Sequence, residues 1–306
     1  MKLVFFGTPD YVIPVLEKLD KYHEIVAVVT QSPKPVGRDK KLTYSAVDSW
    51  AFKKHIPRNF DYVDLPEADI GICASFGMII PDVVLKIFTH GILNIHPSLL
   101  PQFRGSSPIQ ATLIAGVATT GVSIIKMNEK LDAGPILTQF KEDVLESDTN
   151  ESLRSRLFEK SADVLAEMIP AYLEGKIKLK KQDETKASYT TMIKKENAFI
   201  PPTYLKNAME INNTDEVWNV SFLKNFPLKP DANTIHRFIK AMSFWPVAWT
   251  SVEITNNKSQ ITKRLKIISA HINKESGYLE LDEVQLEGKN PTSWKLFKGS
   301  YGISNF

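Results

Sequence analysis

The sequence predicts an α/β fold: a Rossmann-like, mostly parallel sheet, followed by a smaller, mostly β, barrel-like domain at the C-terminal end. In the first half of the chain, short apolar runs rich in β-branched residues alternate with amphipathic runs, and the apolar runs are continuous. Continuous apolar strands are typical of a parallel sheet that helices cover on both faces. Beyond residue 202 the pattern changes to short strands separated by turns, which is typical of small β domains.

Five apolar runs are predicted to be strands of the parallel sheet, because they are short and rich in Val, Ile and Phe. They cover residues 2–7, 24–30, 69–75, 91–96 and 121–127. Amphipathic runs between and after them are predicted to be helices, and two of these begin with proline at the first helical position. The helices cover residues 10–20, 81–88, 108–116 and about 149–173. Asp148 is the candidate N-cap of the last helix, with Glu151 three residues on.

Length and charge distribution predict two domains with a connector between them. The chain has 306 residues, of which 43% are hydrophobic, enough for a sizeable core. Residues 176–195 carry seven lysines and two acidic residues and lack a periodic apolar face, which predicts an exposed connector. We therefore expect an N-terminal catalytic domain at 1–175, a basic linker at 176–201 and the barrel-like domain at 202–306.

Charge, cysteine content and hydropathy limit the class of protein. A formal charge of +3 and a pI near 8.7 permit contact with a polyanion without requiring one. Cys73 is the only cysteine, so no intramolecular disulfide forms, and its apolar surroundings predict a buried structural thiol. No apolar run approaches the roughly 20 residues of a membrane helix. We expect a soluble, cytoplasmic protein.

Two polar residues near the end of the predicted strand 91–96 indicate a functional site. Asn94 and His96 lie two positions apart, so their side chains point to the same face of the sheet. Pro97 has no backbone N–H to donate and ends the strand. In an open parallel sheet, ligands bind beyond the carboxyl ends of the strands. A lone histidine is more often structural than catalytic. Arg104, eight residues after His96, is expected to be a structural pin, that is, a residue that holds the loop in place rather than a catalyst.

Asp132 adds a carboxylate to this pair. It follows the predicted strand 121–127, so we expect it in a loop at the same carboxyl-end edge, although "DAG" is also ordinary turn sequence. An amide can donate to a developing oxyanion, an imidazole can donate or transfer a proton, and a carboxylate can help to remove a proton from a nucleophile. Together the three residues predict acyl transfer to an amine without a covalent enzyme intermediate.

The motifs of other common α/β ligand sites are missing from the sequence. The loop after the first strand is GTPD rather than G-x-G-x-x-G, and the second strand ends in Thr30 and Gln31 rather than in an acidic residue. Both features argue against a nicotinamide cofactor. The sequence has no Walker A motif, and its six histidines are scattered, so no metal is expected.

The segment NIHPSLLPQFRGSSPIQ at 94–110, followed by LDAG at 131–134, closely resembles the signature of folate-dependent formyltransferases. In that family a formyl group moves from the co-substrate 10-formyltetrahydrofolate to an amine. The resemblance implies that Asn94, His96 and Asp132 are the catalytic residues. It also implies a folate-binding turn that consists of Ser98, Leu99, Leu100 and Pro101.

Within the family, the chain is similar to the members whose acceptor is a charged initiator tRNA. TQSPKPVGRDKKL at 30–42 resembles their basic loop, and IHRFIKAMSFWPVAW at 235–249 resembles the opening of their C-terminal domain. The resemblance implies formylation of the free amino group of methionine on that tRNA. It also implies tRNA binding by the C-terminal domain and by Arg38, Lys40 and Lys41. A monomer that does not contact a membrane is expected.

Three alternative functions stay open. A sugar-nucleotide N-formyltransferase shares the N-terminal signature and the formyl donor, but it has no need for the basic residues of loop 31–42. A hydrolase that only releases formate would use the same three catalytic residues. A catalytically inactive RNA-binding module would need only the basic C-terminal domain, and the intact set of Asn94, His96 and Asp132 argues against it.

Overall fold

The computed structural model of the protein describes residues 1–37, 39–210, 215–256 and 259–301. The chain divides into two compact units, each made of separate stretches. Unit 1 comprises Met1–Arg104, Thr119–Asp143 and Arg154–Ala187, and unit 2 comprises Gly105–Ala118, Val144–Leu153 and the residues from Ser188 onward. The domain boundaries at 175 and 201 stay predictions.

The secondary structure follows the predicted order in the first half of the chain. The strands are β1 (Lys2–Gly7), β2 (Glu24–Val29), β3 (Lys34–Val36), β4 (Lys41–Thr43), β5 (Arg58–Asn59), β6 (Ile70–Ala74), β7 (Ile92–His96), β8 (Arg104–Gly105), β9 (Thr119–Lys126), β10 (Ile136–Asp143), β11 (Tyr189–Thr190), β12 (Leu223–Lys224), β13 (Trp249–Asn256), β14 (Ser259–Ile272), β15 (Leu279–Leu286) and β16 (Thr292–Ser293). The helices are α1 (Ile13–Tyr22), α2 (Ala46–Lys53), α3 (Asp82–Leu85), α4 (Pro108–Ala115), α5 (Asn150–Leu173), α6 (Pro202–Glu210), α7 (Ala232–Ala241) and α8 (Trp294–Tyr301).

A seven-stranded sheet with the order β10-β9-β7-β6-β1-β2-β5 forms the centre of unit 1. The five strands from β7 to β5 are parallel, whereas β9 runs antiparallel to β7 and β10 antiparallel to β9. β6 and β7 are buried along their whole length, as their continuous apolar sequences predict. The Rossmann-like, mostly parallel sheet is therefore confirmed. One apolar cluster of its core consists of Val4, Phe6, Ala27, Val29, Cys73, Phe76, Ile80, Val84, Phe88 and Ile92.

Two helix starts differ from prediction. The helix predicted at 81–88 is the single turn of α3: it begins after Pro81, which is extended with ψ of 150°, and it ends at Leu85. Asp148 is not the N-cap of α5. The backbone N–H of Ser152 donates to Thr149 Oγ1 at 3.3 Å, so Thr149 caps the helix one residue later than expected.

Unit 2 contains an antiparallel sheet with the order β13-β14-β15-β16, which confirms the mostly β C-terminal part. Helix α7 packs on β14 and on α4. Asp231 caps α7 by accepting the backbone N–H of Thr234 at 2.8 Å. The apolar face of this helix is buried through Ile235, Phe238 and Ile239.

Candidate active site

Strand β7 carries two polar side chains into the interior of unit 1. Asn94 is 8% exposed and His96 is 3% exposed, and alternation along the strand points both to the same face. β6 flanks β7 on one side and β9 on the other, so the pair lies inside the sheet rather than at its edge. Burying an amide and an imidazole is unfavourable unless both are hydrogen-bonded. Their contacts therefore define the site.

Asp132 contacts both side chains. Asn94 Nδ2 donates to Asp132 Oδ1 at 3.4 Å, and His96 Nδ1 lies 3.6 Å from Asp132 Oδ2. Both distances are longer than those of ideal hydrogen bonds. Catalytic contacts are often long before substrate binds, and long contacts are readily exchanged for contacts with a ligand. The structure thus brings the three predicted catalytic residues together.

The second ring nitrogen of His96 is held by the backbone. His96 Nε2 lies 3.0 Å from the carbonyl oxygen of Phe103. A carbonyl oxygen only accepts, so this hydrogen bond requires a proton on Nε2. Nδ1 is then the nitrogen that faces the Asp132 carboxylate. The hydrogen bond at Nε2 fixes the ring, and the contact between Nδ1 and Asp132 becomes an ion pair only when Nδ1 also carries a proton.

The loop that carries Asp132 leaves the sheet at the end opposite to the expected one. Because β9 is antiparallel to β7, its last residue, Lys126, pairs with Leu93 near the start of β7. The prediction that both loops leave one carboxyl-end edge was therefore wrong. Asp132 still reaches Asn94 because the loop turns back after β9. Asp132 itself lies in the left-handed region, with φ of 48°.

Gly134 and Gln182 hold this turn closed. A Cβ on Gly134 would lie 1.9 Å from the Lys126 carbonyl oxygen, so only glycine fits there. Gln182 Nε2 donates to the carbonyl oxygens of Asp132 and Gly134 at 2.8 and 2.7 Å. Sequence reasoning missed Gln182, because it lies in the lysine-rich stretch expected to be exposed. Most of that stretch is exposed, but Gln182 is 5% exposed.

The turn at 98–101 follows β7 directly and is the predicted folate-binding segment. Ser98 and Leu100 are buried within the protein, whereas Leu99 and Pro101 are partly exposed. The peptide bond between Leu100 and Pro101 is cis. Leu99 and Pro101 are therefore the side chains of this turn that can line a ligand site, while Ser98 shapes the turn by donating to the carbonyl oxygen of Gln102 at 2.6 Å.

Two residues of the antiparallel strands brace this turn, and sequence reasoning identified neither of them. Ser123 Oγ donates to the carbonyl oxygen of Ser98 at 2.7 Å and accepts the backbone N–H of Leu100 at 2.9 Å. Gln139 Nε2 donates to Ser123 Oγ at 2.7 Å and to the Leu100 carbonyl oxygen at 3.0 Å. A serine and a glutamine within strands form no motif, so the signal exists only in the folded chain.

The predicted tRNA-binding residues lie in a different kind of structure. β3 and β4 form an antiparallel hairpin, and every residue of both strands is exposed. Lys40 lies in its turn and Lys41 opens β4, and both are exposed. Arg38 lies outside the described residues. Among the described residues, the hydrogen bonds of the hairpin join β3 to β4 and do not reach Asn94 or His96, so these lysines are separate from the site.

Cys73 is a buried thiol beside the site, as predicted. It pairs with Asn94 across β6 and β7. Burial raises the pKa of its thiol to about 12, and the negative charge of Asp132 adds to the effect. A thiol with such a pKa carries almost no thiolate at neutral pH. Cys73 therefore does not act as a nucleophile there.

Within the described ranges, no group of three or more His, Cys, Asp or Glu side chains is arranged to hold a metal ion. Among the helices of the same residues, none is both long and apolar enough to cross a lipid bilayer.

The fold and the site define the class of protein. A family model described as formyl transferase matches residues 1–169, which include the central sheet, Asn94, His96 and Asp132. The chain belongs to the formyl transferase family.

Particular relatives carry more specific names. A methionyl-tRNA formyltransferase of Fusobacterium nucleatum is 37% identical over 223 residues, which cover 70% of this chain and 71% of the relative. Among solved structures, a methionyl-tRNA formyltransferase from Clostridium thermocellum matches with a TM-score of 0.53 and 17% identity, over 94% of this chain and 98% of that one. An N-formyltransferase from Helicobacter canadensis, in complex with folinic acid and dTDP-3-aminofucose, matches with a TM-score of 0.59 and 17% identity, over 96% and 98%. At such identities the structural matches show the fold alone.

Proposed function

We propose that this chain transfers the formyl group of 10-formyltetrahydrofolate to the free amino group of methionine on charged initiator tRNA, for translation initiation. The observation that carries the proposal is the meeting of Asn94, His96 and Asp132 in a chain of the formyl transferase family. The name of the 37% identical relative supports the choice of acceptor. We propose further that the enzyme acts as a monomer in the cytoplasm.

Each of the three residues has its own role in the proposed reaction. The neutral α-amine of the acceptor attacks the formyl carbon, and negative charge develops on the formyl oxygen. Asn94 Nδ2 exchanges its 3.4 Å contact with Asp132 for a hydrogen bond to this oxygen, and His96 Nδ1 is the second donor when the ring carries a proton on both nitrogens. Asp132 accepts the proton that the attacking nitrogen loses. This proton then passes to N10 of the folate, whose bond to the formyl carbon breaks.

The turn at 98–101 suits the formyl donor. Leu99 and Pro101 present partly exposed apolar side chains directly after the strand that carries Asn94 and His96. Apolar surfaces with a few convergent polar groups are typical of small-molecule sites. In the proposal these side chains contact the folate ring system, while Ser123 and Gln139 stabilise the turn through hydrogen bonds to its backbone.

The hairpin suits a polyanionic acceptor. Lysines that reach phosphates release condensed counterions, so we expect binding of the acceptor to weaken as salt concentration rises. Lys40 and Lys41 are exposed and therefore available for such contacts without rearrangement of the core. Phosphate contacts position the substrate, and the chemistry is left to the residues of β7.

A formyl-transfer assay with three acceptors tests the proposal. The full chain is incubated with 10-formyltetrahydrofolate and with charged initiator tRNA, with an amino-sugar nucleotide or with no acceptor. We expect formyl-methionyl-tRNA as the product in the first case only. Transfer to the amino-sugar nucleotide alone would assign the sugar-nucleotide function. Equal formate release in all three would assign the hydrolase, and tRNA binding without product would assign the inactive binding module.

A further inference from the structure

Arg104 is the largest fully buried side chain in the described part of unit 1, at 1% exposed. Its guanidinium makes two sets of hydrogen bonds. Nε and Nη2 donate to Gln182 Oε1 at 3.1 and 2.8 Å, and Nη1 and Nη2 donate to the carboxylate of Glu184 at 2.8 Å each. A buried charge of this kind is retained only if it is well paired.

Both the oxygen and the nitrogen of the Gln182 carboxamide form hydrogen bonds. Its oxygen accepts from Arg104, and its amide nitrogen donates to the carbonyl oxygens of Asp132 and Gly134. A guanidinium only donates and a carbonyl only accepts, so the opposite orientation of the carboxamide would lose all four bonds. Arg104 therefore fixes which end of Gln182 faces the Asp132 loop.

The bonded carbonyls are those of Asp132 and Gly134, which flank Ala133. Gln182 thus clamps the turn in which Asp132 holds its left-handed backbone, with φ of 48°. Gly134 packs tightly on the Lys126 carbonyl at the other side of the same turn. The clamp acts on the backbone of the residue whose carboxylate faces His96 and Asn94.

The same stretch of chain reaches His96. Phe103, whose carbonyl oxygen accepts from His96 Nε2, immediately precedes Arg104. Arg104 is therefore joined to the imidazole through one peptide unit and to the carboxylate loop through Gln182. Glu184 accepts from the guanidinium on the solvent side, and these hydrogen bonds with Arg104 lower the pKa of its carboxyl.

We propose that Arg104 and Gln182 are positioning residues of the formyl-transfer site. The guanidinium orients the carboxamide, and the carboxamide holds the Asp132 loop so that its carboxylate stays opposite His96 Nδ1 and Asn94 Nδ2. This inference rests on the proposed function. A displacement of about 1 Å at such a site can lower a rate on the order of 100-fold, so loss of the clamp is expected in turnover rather than in substrate affinity.

The variant Gln182→Glu tests the clamp without removing the partner of Arg104. The carboxylate still accepts from the guanidinium, but it has no N–H for the carbonyl oxygens of Asp132 and Gly134. We expect kcat with charged initiator tRNA to fall about 10- to 100-fold, with KM for both substrates within about twofold of the parent chain. Ser161→Ala is the matched control, because it removes another buried hydrogen bond to a backbone carbonyl in unit 1, the one from Ser161 Oγ to Leu157 at 2.7 Å. We expect no change of kcat in the control.

A double-mutant cycle separates positioning from general stability. If Gln182 acts through Asp132, the change Gln182→Glu costs less than about twofold in kcat once Asp132→Asn is present, because residues that act as a unit are not additive. Arg104→Lys keeps the positive charge but loses the two-bond contact with Gln182, so it should also lower kcat. An unchanged kcat in Gln182→Glu, or full additivity with Asp132→Asn, would overturn the inference.

Hydrogen exchange of the peptide covering 127–135 gives a readout that is independent of activity. We expect faster amide exchange in Gln182→Glu than in the parent chain or in Ser161→Ala, since the loop loses both bonds from Gln182. If the parent chain transfers no formyl group but exchange is accelerated, the proposed function fails while the clamp on the Asp132 loop stands. Unchanged exchange would overturn the clamp, whatever the activity of the parent chain.

Discussion

The buried site around β7 and the exposed hairpin of β3 and β4 are built in opposite ways. At the site, Asn94 and His96 are buried, and their polar atoms contact Asp132 or a backbone carbonyl. In the hairpin every strand residue is exposed. Buried polar groups depend on specific partners, whereas exposed charges act over longer distances and are screened by salt. Substitutions at the site should therefore change a single reaction step, and substitutions in the hairpin should change a salt-dependent attraction.

The largest expected effect concerns the thiol beside the site. Burial near Asp132 raises the pKa of Cys73 to about 12, whereas an unperturbed thiol has a pKa of about 8.5. At pH 8 the native thiolate fraction is then lower by about three orders of magnitude. Iodoacetamide should alkylate the native chain at least ~1000-fold more slowly than the chain unfolded in urea, as followed by mass spectrometry. Comparable rates in the two states would contradict the buried arrangement of β6 and β7.

The next largest effect is expected from the amide donor. Asn94→Ala should lower kcat roughly 100- to 1000-fold, since one hydrogen bond to the developing oxyanion is lost. Affinity for charged tRNA should stay unchanged, because Asn94 is buried and the proposal assigns the phosphate contacts of the tRNA to the hairpin. Asn273→Ala, which removes a partly exposed amide from unit 2, serves as the control. An unaltered kcat in Asn94→Ala would remove Asn94 from the proposed mechanism.

The sequence was a good guide to residues whose position depends on local structure. Alternation along one strand is enough to put Asn94 and His96 on the same face, and the apolar run around them is enough to predict burial. Asp132 meets Asn94 and His96 as predicted, but it reaches them from the opposite end of its strand. Whether a strand runs parallel or antiparallel depends on its neighbours in the sheet, and nothing within 121–127 marks β9 as antiparallel.

Residues whose role depends on distant contacts were not predictable. Gln182 is one polar residue among exposed lysines, and its burial depends on Arg104, 78 positions earlier, and on the carbonyl oxygens of the Asp132 loop. Ser123 and Gln139 brace the turn at 98–101 from strands that carry no motif. Arg104 was expected to have a structural rather than a catalytic role. Its hydrogen bonds to Gln182 identify the residue through which that role would be exerted. Local patterns thus indicate the residues proposed to react, whereas the residues around them are determined by tertiary contacts.

The smallest expected effect belongs to the hairpin, and it sharpens the contrast with the site. The double variant Lys40→Ala/Lys41→Ala should reduce the slope of log affinity against log salt concentration by about 1 for each lysine that contacts a phosphate. kcat at saturating charged tRNA should stay unchanged, because neither lysine contacts the residues of β7 in the proposal. Lys21→Ala/Lys53→Ala removes the same charge from exposed positions of α1 and α2 and should leave the slope unchanged. Equal slopes for the parent chain and the hairpin variant would mean that the acceptor does not use this hairpin, and the acceptor assay with an amino-sugar nucleotide would then become decisive.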